Sequence, residues 1–275
     1  MTKKDKKESK RLGVLSKDDI GCFQEITYTA LMVLYAFFND ELILIVIHGR
    51  QGYGKSTLAS IVSAQAYGAL NKINKILQDN PKMLEGKTIS KQRRIKIRLL
   101  EQLIDENAEF LYDWTETKNK FIFKPREFIS TTMKIKKKTL TCIVDDAGMW
   151  LNNMDYQNPF VKAVGRFFEI ARTKYGAIIF TCSDLKQVFT KLRNMPHVYT
   201  IRVIKTGETA DSRIGIIHEG WESEDLKRSG RTKLMFDGFV AEMPDKFYRW
   251  YQPIRLRLAN EGTRLMFEEF EKMAS

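Results

Sequence analysis

The stretch "IVIHGRQGYGKSTLA", residues 45–59, decides the fold. It joins an apolar run to a glycine-rich turn, and a helix-forming run follows the turn. Gly49, Gly54, Lys55 and Ser56 satisfy the pattern G-x-x-x-x-G-K-[ST], which marks a phosphate-binding loop when a strand precedes it and a helix follows it. Both conditions hold here, so the sequence predicts such a loop.

The loop residues have separate physical roles. Glycines allow a tight turn that aims backbone N–H groups at phosphate oxygens. The Lys55 ammonium can reach the β- and γ-phosphates, the Ser56 hydroxyl can ligate Mg²⁺, and Thr57 lies near the α-phosphate. The helix that starts at Lys55 adds the positive end of its dipole. We therefore expect ATP and Mg²⁺ as cofactors. The expected nucleotide-binding residues are Gly49, Gly52, Gly54, Lys55, Ser56 and Thr57.

Two carboxylates end a second apolar run, "TLTCIVDDAG", at residues 139–148. Ligands of doubly wound sheets bind at the carboxyl ends of strands, so we expect Asp145 and Asp146 beside the phosphate loop. Asp145 is assigned to Mg²⁺, directly or through water. Asp146, with Lys55, is assigned to catalysis, because it can orient and deprotonate the attacking water. The alternative is that the two aspartates cap a helix that begins at "AGMW".

The order of apolar runs predicts a doubly wound α/β fold with a mainly parallel sheet. Gly68 is the expected end of the helix that follows the loop. Helices are expected at 27–38, 55–68, 126–135, 159–173 and 185–193, and strands at 41–49, 121–125, 139–148, 175–184, 198–205 and 213–221. The expected domains are a basic flexible tail at 1–16, a core at 17–205 with a helical insertion at about 69–118, and a strand pair with a C-terminal helical extension at 206–275.

The net charge of +12 and the sequence pI of about 9.5 suggest a polyanionic partner. Basic clusters lie at 91–98, 134–138 and 249–257, and the first predicts a helix face that carries Arg94 and Arg98. Such clusters suit DNA, because binding to phosphates releases counterions. A lysine-rich solvated surface is the alternative. The cluster at 249–257 is interleaved with aromatic residues, which we interpret as core packing rather than base stacking.

Cysteine usage and hydropathy limit the location of the protein. Cys22, Cys142 and Cys182 are odd in number and widely spaced, which favours a reducing compartment without a disulfide framework or a zinc cluster. No apolar stretch reaches the roughly 20 residues that a membrane span needs. We therefore expect a cytoplasmic protein.

The loop, "IVDDAG" and "ARTKYGAIIFTCSD" follow one another in the order of the additional-strand, catalytic-glutamate class of P-loop ATPases. Within that class the chain resembles FtsK–HerA-like and Zot-like enzymes, and especially the ATPases of archaeal spindle-shaped viruses and related plasmids. The resemblance covers about residues 40–205. It implies a RecA-like or AAA-type core, ATP with Mg²⁺, a homo-oligomer, and work on DNA in packaging, translocation or replication. It also implies that the cytoplasm is that of a host cell that carries a virus or plasmid.

Two positions depart from the pattern of that class. Asp146 stands where the class usually has glutamate, so the carboxylate is one methylene shorter. The polar sensor at the end of the third strand aligns with Ser183, which has Thr181 as a neighbour and is expected to contact the γ-phosphate or the attacking water. Ser183 could equally cap a helix together with Asp184.

The resemblance also implies an arginine that reaches the ATP of a neighbouring subunit. Arg172 is the candidate, with Arg166 and Arg193 as rivals, and each of them could instead be a surface arginine. The leading functional hypothesis is thus an ATPase that acts on DNA. The alternative is a nucleotide-dependent switch or assembly ATPase that acts on a protein.

Overall fold

The computed structural model describes residues 26–106, 112–149, 167, 171–188, 198–207, 211–222 and 229–274. Contacts divide the chain into two compact units, Met1–Glu242 and Met243–Ser275. The helices are α1 (Tyr28–Phe38), α2 (Lys55–Asp79), α3 (Ile89–Asp105), α4 (Trp114–Lys118), α5 (Pro125–Lys134) and α6 (Asp245–Ala274). The strands are β1 (Ile43–His48), β2 (Phe121–Ile122), β3 (Thr139–Val144), β4 (Tyr175–Cys182), β5 (Val198–Lys205), β6 (Ser212–Glu222) and β7 (Ser229–Val240).

The strands form one sheet in the order β2-β3-β4-β1-β5-β6-β7. Strands β1 to β5 are parallel to one another. Strands β6 and β7 continue the sheet in antiparallel pairing. Apolar clusters cover both faces of the parallel part: Ile45 of β1 belongs to the cluster that includes α1 and α2, and Val46 belongs to the opposite one. Burial on both faces explains the continuous apolar runs. The predicted doubly wound α/β fold is confirmed.

The helix after the phosphate loop is longer than predicted. We expected it to end at Gly68, but α2 continues to Asp79 and buries Gly68. Ala69, Ile73 and Leu77 extend its buried face beyond the glycine. A glycine inside a helix costs about 1 kcal/mol relative to alanine, and the burial of these side chains outweighs that penalty.

Within the range 69–118, which we expect to be an insertion, the described residues include the end of α2 together with α3 and α4. Leu99, Leu100 and Leu103 of α3 are buried in the same cluster as α1 and α2. The opposite side of α3 exposes Arg94 and Arg98, as expected from their spacing. The expected tail at 1–16 lies outside the described residues, as do most of the expected helices at 159–173 and 185–193.

The C-terminal part of the first unit differs from expectation. The predicted strand pair forms as β5 and β6, but both belong to the same sheet as β1, so the expected domain division after residue 205 falls within a continuous sheet. A third strand, β7, was not predicted. Its pairing with β6 is interrupted by a bulge between Ile217 and His218, which breaks the two-residue alternation that identifies a strand.

Strand β7 also anchors the first helix. Asp237 is buried, and its carboxylate accepts hydrogen bonds from Tyr28 N at 2.8 Å, from Thr29 N at 3.0 Å and from the Thr29 hydroxyl. These donors are at the start of α1, where helical N–H groups lack partners within the helix. The last strand of the sheet therefore satisfies the amino terminus of the first described helix.

The second unit contains α6. Phe247 and Tyr251 are buried, whereas Arg249 is exposed, which supports the interpretation of this aromatic cluster as packing. The Arg255 guanidinium lies 5.8 Å from the centroid of the Tyr251 ring. Within the described residues, no helix combines the length and apolarity needed to cross a membrane.

Candidate functional site

The phosphate loop occupies the turn between β1 and α2. Five of the six residues of β1 are buried, so the strand holds the start of the loop firmly within the sheet. Gly54 precedes α2 in the left-handed conformation, with φ of 87°, and no described side chain caps this end of the helix. The first N–H groups of α2 therefore remain available to an anion, and the helix dipole favours one there.

Glycine is required at two loop positions for different steric reasons. Gly49 has a φ of 150°, and a Cβ there would lie 2.7 Å from the Val203 carbonyl oxygen. A Cβ at Gly54 would lie 2.9 Å from the Ala241 Cβ. Both contacts are closer than real Cβ atoms normally come, so the loop packs directly against β5 and against the residue that follows β7.

The first three residues of α2 point into the protein. Lys55, Ser56 and Thr57 are each less than 10% exposed. The Lys55 ammonium donates a hydrogen bond to the Arg50 carbonyl oxygen at 3.1 Å, which holds the charge over the loop. An ammonium in this position lies where phosphates would bind, because phosphate loops place their phosphates at the amino end of the helix.

Ser56, Asp145 and Thr181 form one buried hydrogen-bond network. The hydroxyls of Ser56 and Thr181 each donate to Asp145 Oδ1 at 2.7 Å. The Thr181 hydroxyl also accepts a hydrogen bond from Asp146 N at 2.9 Å. Asp145 is 2% exposed. The network thus joins the loop helix to the ends of β3 and β4.

The strand order explains how these residues meet. Strand β4 lies between β1 and β3, with Ile47 of β1 opposite Thr181 and Val144 of β3 opposite Phe180. Asp145 follows Val144, so it lies next to Thr181, and Ser56 reaches it from α2. A strand placed between the loop strand and the aspartate strand is the arrangement for which the additional-strand class is named.

Asp146 has an unusual backbone conformation. Its φ is 49°, in the left-handed region that non-glycine residues rarely occupy and that Asp and Asn tolerate best. The hydrogen bond from its N–H to Thr181 stabilises this turn. Backbone strain of this kind is concentrated at functional sites, because only a specific surrounding structure maintains it.

The charges of the site meet around Cys182. Burial raises the pKa of the Cys182 thiol to about 12, the Lys55 charge lowers it, and the charges of Asp184 and Asp146 raise it. The thiol is therefore neutral near pH 7 and is not a nucleophile. The same interactions place Lys55 and Asp146 at the same edge of the sheet, as the sequence predicted.

The predicted sensor and the observed network involve neighbouring residues. Ser183 is exposed, one residue beyond the end of β4, and its role stays a prediction. Thr181 is fully buried and contacts both aspartates, so it is the site residue to which sequence reasoning gave too little weight. A hydroxyl inside an otherwise apolar strand was the available signal, since a buried polar group needs a partner.

Arg172 lies far from the phosphate loop of its own chain. It is exposed in a turn, Ala171–Thr173, that precedes β4, whereas the loop follows the carboxyl end of the parallel strand β1. Strand β4 has eight residues, and eight residues of strand span about 26 Å. This exposed position is compatible with a surface arginine or with a role at a neighbouring subunit's nucleotide, and the second stays a prediction. Arg166 and Arg193 are outside the described residues.

No model of a known protein family matches the chain, and no curated protein matches it. The N-terminal domain of zonular occludens toxin from Neisseria meningitidis is similar at 12% identity and a TM-score of 0.34, over 76% of this chain and 97% of that one. The flagellar accessory protein FlaH from Methanocaldococcus jannaschii is similar at 18% identity and a TM-score of 0.30, over 64% of this chain and 77% of that one. Both scores are too low to transfer any property.

The fold and the site define the class from this chain's own residues. A glycine loop between a buried strand and a helix, an interposed strand β4, and a serine that contacts the strand-end aspartate together give an α/β doubly wound P-loop core.

Proposed function

We propose that the chain is a Mg²⁺-dependent ATPase that hydrolyses ATP to act on DNA. The observation that carries the proposal is the 2.7 Å hydrogen bond between the Ser56 hydroxyl and the Asp145 carboxylate, at the start of α2 and beside the glycine loop. Phosphate loops use a hydroxyl and a strand-end carboxylate in this arrangement to hold the cation that accompanies a nucleotide.

The available donor atoms fit Mg²⁺. Hydroxyl and carboxylate oxygens are hard ligands, and Mg²⁺ is usually held by one or two carboxylates together with phosphate oxygens and water. Asp145 is almost fully buried, and its carboxylate accepts hydrogen bonds from the hydroxyls of Ser56 and Thr181. A bound cation would stabilise a buried carboxylate further. Ser56 and Asp145 would hold the ion, which when bound neutralises charge on the β- and γ-phosphates.

The other site residues can serve hydrolysis. Lys55 and the N–H groups at the start of α2 would bind the phosphates and stabilise the charge that develops during transfer. Asp146 is half-buried beyond β3 and would orient a water molecule and accept its proton. Thr181 would hold both aspartates in position through its two hydrogen bonds.

The assignment to DNA rests on charge. The chain has a net charge of +12, and the exposed basic residues lie on several separate elements, including α3 and β7. Contacts with phosphates would make binding fall steeply as salt rises. We further propose a homo-oligomer, in which Arg172 acts on the ATP of a neighbouring subunit, because it cannot reach the loop of its own chain.

The deciding experiment is ATP turnover with and without single- and double-stranded DNA, at two salt concentrations. We expect Mg²⁺-dependent phosphate release that DNA accelerates, more strongly at low salt. Turnover that DNA does not change, together with no DNA binding in the presence of a non-hydrolysable ATP analogue, would replace this function by the nucleotide-dependent switch that acts on a protein. A protein without nucleotide binding would contradict both functions.

A further inference from the structure

Strands β5, β6 and β7 present basic side chains on one face of the sheet. Residues opposite one another in paired strands share a face, and so do residues two apart along a strand. Thr200 is opposite His218, and His218 is opposite Lys233. Arg202 is two residues from Thr200, and Arg231 is two residues from Lys233. We name Arg202, His218, Arg231 and Lys233 the basic sheet face.

The basic sheet face is accessible to solvent. Arg202, Arg231 and Lys233 are exposed, and His218 is half-buried. The carboxylates of Glu219 and Asp237 belong to the opposite face, where they bond to Tyr199 and to α1.

Its dimensions suit an extended polyanion. Neighbouring strands lie about 4.8 Å apart, so the backbones of β5 and β7 are about 10 Å apart. Cations spread over that width can contact successive phosphates of a chain. Phe236 lies on the same face, with the Lys233 ammonium 5.6 Å from its ring centroid. A half-buried aromatic ring among cations offers a surface on which an exposed base can stack.

The basic sheet face adjoins the nucleotide site. His48 is opposite Arg202 and immediately precedes Gly49 of the phosphate loop. Burial lowers the pKa of His48 to about 4, the charges of Arg231 and Arg202 lower it further, and the charge of Asp184 raises it. The charges of both arginines therefore act at the end of β1. The loop also packs on β5 at Val203, so a displacement of β5 moves the support of the loop.

We propose that the basic sheet face binds the phosphodiester backbone of DNA. This inference rests on the proposed action on DNA and names the surface that makes the contact. The occupant is assigned by charge complementarity, because exposed cations of β5 and β7 face solvent beside the proposed nucleotide site.

The test compares two double variants that each remove two positive charges. Arg202→Gln/Lys233→Gln changes the basic sheet face, and Lys136→Gln/Lys137→Gln changes two exposed lysines before β3, at the opposite end of the sheet. Affinity for labelled single- and double-stranded oligonucleotides is measured from 0.05 to 0.3 M salt with a non-hydrolysable ATP analogue. Thermal unfolding and nucleotide affinity show whether each variant is folded.

We expect the sheet variant to bind DNA about ten-fold or more weakly at 0.1 M salt. The slope of log affinity against log salt should fall by about 1.4 for single strands or 1.8 for duplex, the values for two lost phosphate contacts. The comparison of single- and double-stranded oligonucleotides identifies which form of DNA the surface binds. Equal losses of DNA affinity in the two variants, or an unchanged DNA affinity in the sheet variant, would contradict the assignment of this surface. Neither outcome would contradict the proposed action on DNA. Absence of DNA binding by the unmodified protein would overturn both.

A second measurement needs no variant. Acylation of surface lysines is followed by mass spectrometry with and without DNA. Lys233 should be protected by DNA, while Lys136 and Lys137 keep their reactivity. Equal protection of the three lysines would contradict the assignment even if the sheet variant failed to fold.

Discussion

The parallel and antiparallel parts of the sheet bury their residues differently. Strand β4, in the parallel part, is buried at all eight positions, and the polar groups of the site lie at the carboxyl ends of such strands. Strands β6 and β7 bury one face, with Ile217 and Phe239 in the core, and leave the other face to Arg231 and Lys233. Antiparallel sheets commonly leave one face open to solvent, whereas parallel sheets do not.

This difference in burial separates the residues proposed for hydrolysis from those proposed for binding a partner. Groups that must be desolvated and held rigidly lie where helices cover both faces, because interactions between charges are stronger out of water. Groups that meet a large partner lie where one face is open. Substitutions in the parallel part should therefore change hydrolysis, and substitutions on the open face should change partner binding.

The largest effect is expected for Lys55→Ala in the parallel part. It removes the charge held over the loop, and hydrolysis should fall by at least about 10²-fold, the usual effect of losing one preorganised group that stabilises transferring charge. Phosphate release and nucleotide affinity measure the effect, with Lys137→Ala as a control for lysine loss at an exposed position. Unchanged turnover and affinity in Lys55→Ala would exclude the phosphate-loop assignment.

The two aspartates should give separable defects. Asp145→Asn should weaken Mg²⁺-dependent nucleotide binding, because the buried carboxylate is lost beside Ser56. Asp146→Asn should leave ATP bound but slow hydrolysis by about 10²-fold, since the general base is lost. Asparagine tolerates the left-handed backbone of residue 146, so the fold is kept. Normal turnover by Asp146→Asn would mean that another residue activates the water.

Thr181→Val should have an intermediate effect. It keeps the side-chain volume but removes the hydrogen bonds to Asp145 and from Asp146 N. We expect kcat to fall by about ten-fold, the effect of a change of about 1.4 kcal/mol in the barrier. Thr141→Val is the matched control, because it is a buried threonine on β3 that bonds instead to Ser63 at 2.8 Å. Equal losses of kcat in both variants would indicate a general packing effect.

The smallest effect is expected for Arg94→Gln/Arg98→Gln on α3. This variant removes two charges, as the sheet variant does, but α3 also carries Glu101 and Asp105, which weaken its attraction for phosphates. DNA affinity should fall by about two- to three-fold, with a small change in salt slope. A loss larger than that of the Arg202→Gln/Lys233→Gln variant would identify α3 as the principal DNA surface.

The sequence was most informative where local chemistry determines structure. The glycine loop could be predicted because its glycines and the flanking strand and helix define its backbone path. Asp145 could be predicted because it lies at the end of a parallel strand, where ligands of such sheets bind. Gly68 was misread because a local stop signal was outweighed by the burial of Ile73 and Leu77, which depends on tertiary packing. The network around Thr181 could not be predicted, because it depends on where β3 and β4 end relative to one another, which sequence locates only to within one or two residues.

The hydrogen bonds from α1 to Asp237 affect how the protein folds during synthesis. Tyr28 and Asp237 are 209 residues apart, so the first helix obtains this partner only after almost all of the first unit has been made. At ordinary translation rates of 5–20 residues per second the delay is roughly 10 to 40 s. Through that interval the N–H groups at the start of α1 lack this partner on the nascent chain. A chaperone that shields the emerging chain should therefore raise the folded yield, and slow release from the ribosome should lower it.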